Sequence, residues 1–93
     1  MTLYISGKIT GDKHYKRKFA KAKARLLKKG FDVINPADIC GYKFLTYEEF
    51  LHIDYAFIDV CDGVFMLSDW MDSNGARLER NYAKCRNKEI FYE

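Results

Sequence analysis

Between Cys61 and Ala83 an apolar run, Gly63-Val64-Phe65-Met66-Leu67, leads through a polar turn, Ser68 to Gly75, into a helical segment that carries Glu79. Strand, loop and helix in that order constrain the chain to an α/β fold more than any other feature. In open α/β sheets, ligands sit beyond the carboxyl ends of the strands, where the unpaired N–H groups of the following helix attract anions. Ser73 and Asn74 are natural N-cap residues for such a helix. Glu79 stands three residues after Ala76 and four before Ala83, on a stripe of small residues, so its carboxylate faces the sheet.

The N-terminal third repeats the theme. Thr2 to Ser6 is rich in β-branched and aromatic residues, and Gly7 and Gly11 bracket Lys8-Ile9-Thr10 in the loop that follows. The loop's glycines leave room for a ligand to approach closely, which by itself does not make a phosphate cradle. It lacks both the dinucleotide glycine pattern and a Walker lysine, so neither claim follows. From Lys13 to Lys29, Tyr15, Phe19, Ala22 and Leu26, with Ala20, Ala24 and Leu27, recur at helical spacing among lysines and arginines. That predicts an amphipathic helix with a basic outer face, ended by Gly30. Phe31 to Ile34 is a second strand, stopped by Asn35-Pro36. Strand, helix and strand form a right-handed parallel βαβ unit.

After a loop from Ala37 to Leu45, Thr46 and Glu49 have capping-box spacing for a helix that begins at about Tyr47. Tyr47, Phe50, Leu51, Phe57, Ile58 and Cys61 mark its buried side, and Asp54 falls among them. An acid on an apolar stripe needs a reason. It either caps a turn, pairs with a basic side chain, or does chemistry. The last helix runs from about Gly75 to Arg86 and gives way at Asn87, and Glu89 to Tyr92 closes the chain as a strand. The expected fold is Rossmann- or flavodoxin-like: an open parallel sheet of about four strands in order 2-1-3-4 with three helices. Residues 1–93 are expected to form one domain. Its switch point lies between the first and third strands, where the loops Gly7 to Gly11 and Ser68 to Gly75 meet.

Ninety-three residues sit near the lower limit for a single core without disulfides, metal or a partner chain. That size, with 16% aromatic residues, predicts a homodimer or higher homo-oligomer. The net charge of +3 is unevenly spread: residues 1–30 hold ten Lys/Arg and one acid, and residues 31–72 one Lys and nine acids. We read the basic third as a solvated helix face rather than a nucleic-acid surface. No apolar run approaches the roughly 20 residues of a membrane span, and the start lacks a signal-peptide pattern, so a cytoplasmic location is expected. Cys40, Cys61 and Cys85 are an odd number without zinc spacing and read as reduced packing residues. Neither a metal nor a cofactor is expected.

Tyr4-Ile-Ser-Gly-Lys-Ile-Thr-Gly11, Asn35-Pro36-Ala37, Cys61-Asp62, Trp70, Ser73-Asn-Gly75-Ala76, Glu79 and Phe91-Tyr92-Glu93, in that order, carry a resemblance. The chain resembles the nucleoside 2-deoxyribosyltransferase superfamily, within it most closely the small DUF4406-like branch. The resemblance covers nearly the whole chain. It implies N-glycosidic chemistry at C1′ of a deoxyribonucleoside or its 5′-monophosphate. Glu79 matches the nucleophile, Asp54 the acid that contacts the base and handles its proton, and Tyr4 the tyrosine that restrains the nucleophile. It also implies that a neighbouring subunit's C-terminal region, here Tyr92 and Glu93, completes the site. In the transferases an aspartate six residues before the nucleophile binds the sugar hydroxyls. Here Ser73 takes that place and Asp72 lies seven before. Related monophosphate hydrolases use serine in this loop for phosphate, which favours a nucleotide substrate.

The chemistry asks for such a pair independently. Retaining cleavage of a glycosidic bond needs one carboxylate to attack C1′ and a second group to protonate the leaving base. Gly7, Lys8, Ile9, Asp72, Ser73, Asn74 and Gly75 are the expected substrate-binding residues, with Lys8 near the helix N-terminus to suit a 5′-phosphate. Three readings remain open at this point. The first is an N-glycosidase or deoxyribosyltransferase, the second a nucleotide-binding module with little turnover, and the third a basic nucleic-acid-binding protein; for Glu79 itself the alternative to a nucleophile is a structural carboxylate paired with Arg77, Arg80 or Tyr4.

Overall fold

A computed structural model describes residues 1–39 and 41–93; the expectation for Cys40 falls outside the described residues. Strand β1 (Thr2–Ser6) leads to helix α1 (Tyr15–Lys28), strand β2 (Asp32–Ile34), a 3-10 turn (Pro36–Ile39) and helix α2 (Tyr47–Val60). Strand β3 (Gly63–Met66), a second 3-10 turn (Trp70–Asp72), helix α3 (Asn74–Cys85) and strand β4 (Glu89–Tyr92) complete the chain. The sheet order is β2-β1-β3-β4 and every pair is parallel, with Leu3 beside Gly63 and Ser6 beside Met66. The order 2-1-3-4 and three helices agree with the sequence. Both 3-10 turns lie in stretches read as loop.

The sheet separates two apolar clusters. Leu3 and Ile5 point to one face with Phe19, Ala22 and Leu26 of α1, whereas Tyr4 and Val64 point to the other with Ile58 of α2 and Ala76 and Ala83 of α3. This is the period-two alternation of a strand covered on both faces. It puts Tyr4 and Ser6 on the side of α2 and α3.

Local signals explain the boundaries. Thr46 and Glu49 form the expected reciprocal capping box at the start of α2, and the Ser73 hydroxyl caps α3 by accepting from the Ala76 N–H at 3.1 Å. Gly30 at φ +94° and Asn87 at φ +59° take the left-handed conformation past the ends of α1 and α3. Among the described residues, no helix is long and apolar enough to cross a membrane.

Two apolar stripes are narrower than their spacing predicts. Ala20, Ala24 and Leu27 are exposed, because Phe19, Ala22 and Leu26 form the side of α1 that meets the sheet. On α2, Ile58 is buried, as is Cys61 just past the helix end, Phe50 and Leu51 are half-buried and Tyr47 is exposed, because the first half of the helix overhangs a cavity instead of the sheet. Cys85 is exposed, so it is not a packing residue; Cys61 is buried, and burial pushes its thiol up to about 11.

Gly63 marks the tightest strand contact. A Cβ there would stand 2.7 Å from the Glu89 carbonyl oxygen, which is backbone and cannot turn aside. Gly63→Ala is therefore expected to push β4 away from β3 and cost about 1–3 kcal/mol. A urea unfolding midpoint equal to the parent's would contradict this close approach.

Candidate active site

At the carboxyl ends of β1 and β3 lies an open cavity of about 1010 Å³. Gly7, Ile9 and Thr10 of the glycine loop line it, with Tyr15, Pro36 and Ile39. Tyr47, Phe50, Leu51 and Asp54 of α2 form an opposing wall, and the Asp72 to Glu79 segment with Asn81 completes it. Of the expected site residues, Gly7, Ile9, Asp54, Asp72, Ser73, Asn74, Gly75 and Glu79 therefore share one space.

Glu79 is 6% exposed and fixed at both oxygens. The Tyr4 hydroxyl donates to Oε2 at 2.9 Å and the Ser6 hydroxyl donates to Oε1 at 2.6 Å. Ser6 was not singled out by sequence. The available signal was the alternation of β1, which puts residue 6 on the same face as residue 4. Of the partners open to a structural Glu79, Tyr4 is present, and no pair of Glu79 with Arg77 or Arg80 occurs among the described residues. Arg77 bonds Asn74, while Arg80 lies over the Trp70 ring at 4.9 Å and donates to the Tyr92 hydroxyl at 2.7 Å.

Asp54, half-buried on α2, stands against this carboxylate. Burial, then the charge and hydrogen bond of Asp54, raises the Glu79 carboxyl well above its ordinary range, while Ser6 and Tyr4 pull it down. Burial also raises Asp54, against the pull of Glu79 and Tyr4. Two carboxyls in contact titrate as one system, and this pair keeps a proton above the ordinary carboxylate range. Burial and the two carboxyls hold the Tyr4 hydroxyl well above 10, so it remains a donor. The arrangement puts two carboxyls that share a proton on one cavity wall, Glu79 anchored at both oxygens and Asp54 open to the cavity.

Lys8 lies outside the cavity lining. Its N–H donates to Asp69 Oδ1 at 3.1 Å and its carbonyl accepts from Lys18 Nζ at 2.8 Å, while Lys18 also pairs with Asp12 at 2.7 Å and with Asp69. One lysine of α1 thus ties the glycine loop to the loop after β3. Lys18→Met should lower the unfolding midpoint by roughly 5 °C and speed hydrogen exchange at the Lys8 amide. Unchanged exchange there would show that the loop is held by other contacts.

Four parallel strands in this order with these helices make the architecture of the 2-deoxyribosyltransferases. The fold superposes on a 2-deoxyribosyltransferase from Leishmania mexicana with a TM-score of 0.75 at 17% identity, over 98% of this chain and 62% of that one. It matches a 2-deoxyribosyltransferase from Bacillus psychrosaccharolyticus at TM-score 0.76 and 18% identity, over 99% of this chain and 71% of that one. It also matches a CMP N-glycosidase from Clostridium botulinum at TM-score 0.70 and 20% identity, over 99% of this chain and 70% of that one. Such identities carry the fold and not the activity, and the chain spans less than two thirds of the Leishmania protein's length. The chain belongs to the family described as Domain of unknown function (DUF4406), whose model matches residues 1–92. No curated protein matches it.

Proposed function

We propose that this protein cleaves the N-glycosidic bond of 2′-deoxynucleosides or their 5′-monophosphates, passing the deoxyribosyl group to water or to a second base, with Glu79 as nucleophile. The carrying observation is the buried Glu79 carboxylate, held at both oxygens by Tyr4 and Ser6 beside Asp54 on the wall of a cavity large enough for a nucleotide. In the proposed reaction a Glu79 oxygen bonds to C1′ as the bond from C1′ to the base nitrogen breaks. The electron pair leaves with the base, which takes a proton from Asp54. Water or an incoming base then attacks C1′ of the glycosyl ester and returns the proton to Asp54. Asp72 and Ser73 would hold the sugar hydroxyls or phosphate, and the apolar wall of Tyr47, Phe50 and Leu51 the base. The likeness in fold to two 2-deoxyribosyltransferases and a CMP N-glycosidase supports the substrate class.

The test is incubation with each deoxynucleoside and each 5′-monophosphate, followed by chromatography for free base. Release from at least one is expected. Saturable binding without release from any would make the protein a nucleotide-binding module instead.

The protein is further proposed to work as a homodimer. Tyr42 and Phe44, with Phe44 82% exposed, form an aromatic pair with ring centroids 5.8 Å apart in the loop before α2, next to exposed Tyr47 on the cavity wall. A second copy covering this face would close the cavity mouth. Tyr92 and Glu93 are engaged within their own chain, through Arg80 and through the Ser68 N–H and Arg25 respectively, so the aromatic loop is the better candidate. Light scattering at tens of micromolar should give twice the chain mass; the mass of one chain would remove the proposal.

A further inference from the structure

We propose that Ser6 is a positioning residue: its hydroxyl donates to Glu79 and keeps the negative charge of the carboxyl pair on Glu79 once a substrate covers Asp54. The proposal rests on the reading of the site just given. A serine hydroxyl has one hydrogen to donate, and here it goes to Glu79 Oε1 at 2.6 Å from a side chain that is fully buried. Tyr4 is less selective. Its hydroxyl bonds Glu79 Oε2 at 2.9 Å but also interacts with Asp54. Ser6 is therefore the group that tells the two carboxyls apart.

Every charged or titratable group facing the pair bears on this. From β1 come Tyr4 and Ser6, and from α2 come Asp54 and the hydroxyls of Tyr47 and Tyr55, neither of them a cation. The nearby arginines of α3 are turned to Asn74 and to Trp70. Among the described residues no cation pairs with Glu79, so donated hydrogen bonds are what stabilise its anion.

Depth works against those donors. Glu79 is the more deeply buried of the two, and Asp54 still reaches the cavity, so in the empty site solvation favours the proton on Glu79 and the charge on Asp54. A nucleotide lying over α2 strips water from Asp54 and removes that advantage. The bonds from Ser6 and Tyr4 then decide. The proton passes from the Glu79 carboxyl to the Asp54 carboxylate and the charge of the pair stays at minus one. This leaves an anion where C1′ is attacked and an acid where the base departs.

The experiment compares parent, Ser6→Ala and Ser6→Cys, whose thiol nearly keeps the size of the hydroxyl but donates weakly. Carboxyl carbons of labelled Asp and Glu are titrated by NMR in the empty protein, with Asp54→Asn and Glu79→Gln giving the assignments. Ser6→Ala is expected to move the Glu79 titration up by about one pH unit, a tenfold change. On whichever 2′-deoxynucleoside 5′-monophosphate the parent cleaves, kcat should fall roughly 30-fold with KM within about twofold. The acidic limb of the kcat profile should move up by about one pH unit, with Ser6→Cys in between. A Ser6 that only packs would lower the melting temperature while leaving the Glu79 titration and the acidic limb in place, and that result overturns the proposal. If Ser6→Ala does not fold, Ser6→Cys carries both comparisons. If the parent cleaves nothing, the proposed reaction fails, and an unmoved Glu79 titration then decides against Ser6 by itself.

Discussion

Glu79→Gln lowers base release by at least roughly a thousandfold, about 4 kcal/mol of barrier, while nucleotide affinity stays within a few-fold of the parent. Glutamine keeps the size of the side chain and an oxygen to accept from Tyr4 or Ser6, but it has no charge to attack C1′. The variant also separates chemistry from structure through stability. The Glu79 carboxyl titrates well above its ordinary value near 4.5 in the folded protein because it is buried beside Asp54. A raised folded value means that the folded state holds the proton more tightly than the unfolded chain. Its contribution to stability is present below about pH 4.5 and is lost as pH rises through the folded value. Glutamine does not titrate, so Glu79→Gln should melt near the parent at acidic pH and above it at neutral pH. A structural glutamate paired with an arginine predicts the reverse, a lower melting temperature at neutral pH with activity tracking the folded fraction.

Asp54→Asn lowers base release by about a hundredfold or more, the usual contribution of a positioned proton donor, with little loss of affinity. The pH profile is the sharper readout. In the parent, activity needs one proton on the pair, so it falls at low pH as both carboxyls fill and at high pH as the shared proton leaves. Asparagine removes the alkaline limb. The acidic limb, where Glu79 fills beside an Asp54 that already carries its proton, should stay close to the parent's. Turnover and profile identical to the parent's would make Asp54 structural.

Much of this architecture was legible because it follows from local periodicity. Two βαβ units in tandem leave few parallel arrangements, and the stripe of Ala76, Glu79 and Ala83 is buried as its spacing requires. The capping box at Thr46 and the left-handed positions at Gly30 and Asn87 are local signals too. What escaped is long-range. The Ser6 bond to Glu79 spans 73 residues, and the tie from Lys18 to Asp69 spans 51. Lys8 was placed by its charge, yet its backbone is what the fold uses. On α2 the apolar spacing of Tyr47, Phe50 and Leu51 reads as core, because periodicity reports which residues share a face and not whether that face meets the sheet or a cavity. Asp54 on that same face is intelligible only once the face is known to line a cavity.

The most direct measurement is the intact mass of the protein after brief mixing with the substrate found by base release, acid quenching and peptide mapping. A glutamate nucleophile predicts a transient gain of one deoxyribosyl group, or its 5-phosphate, on the peptide that carries Glu79, and no gain in Glu79→Gln. Base release with no adduct at any quench time, or an adduct that maps to another residue, would contradict it.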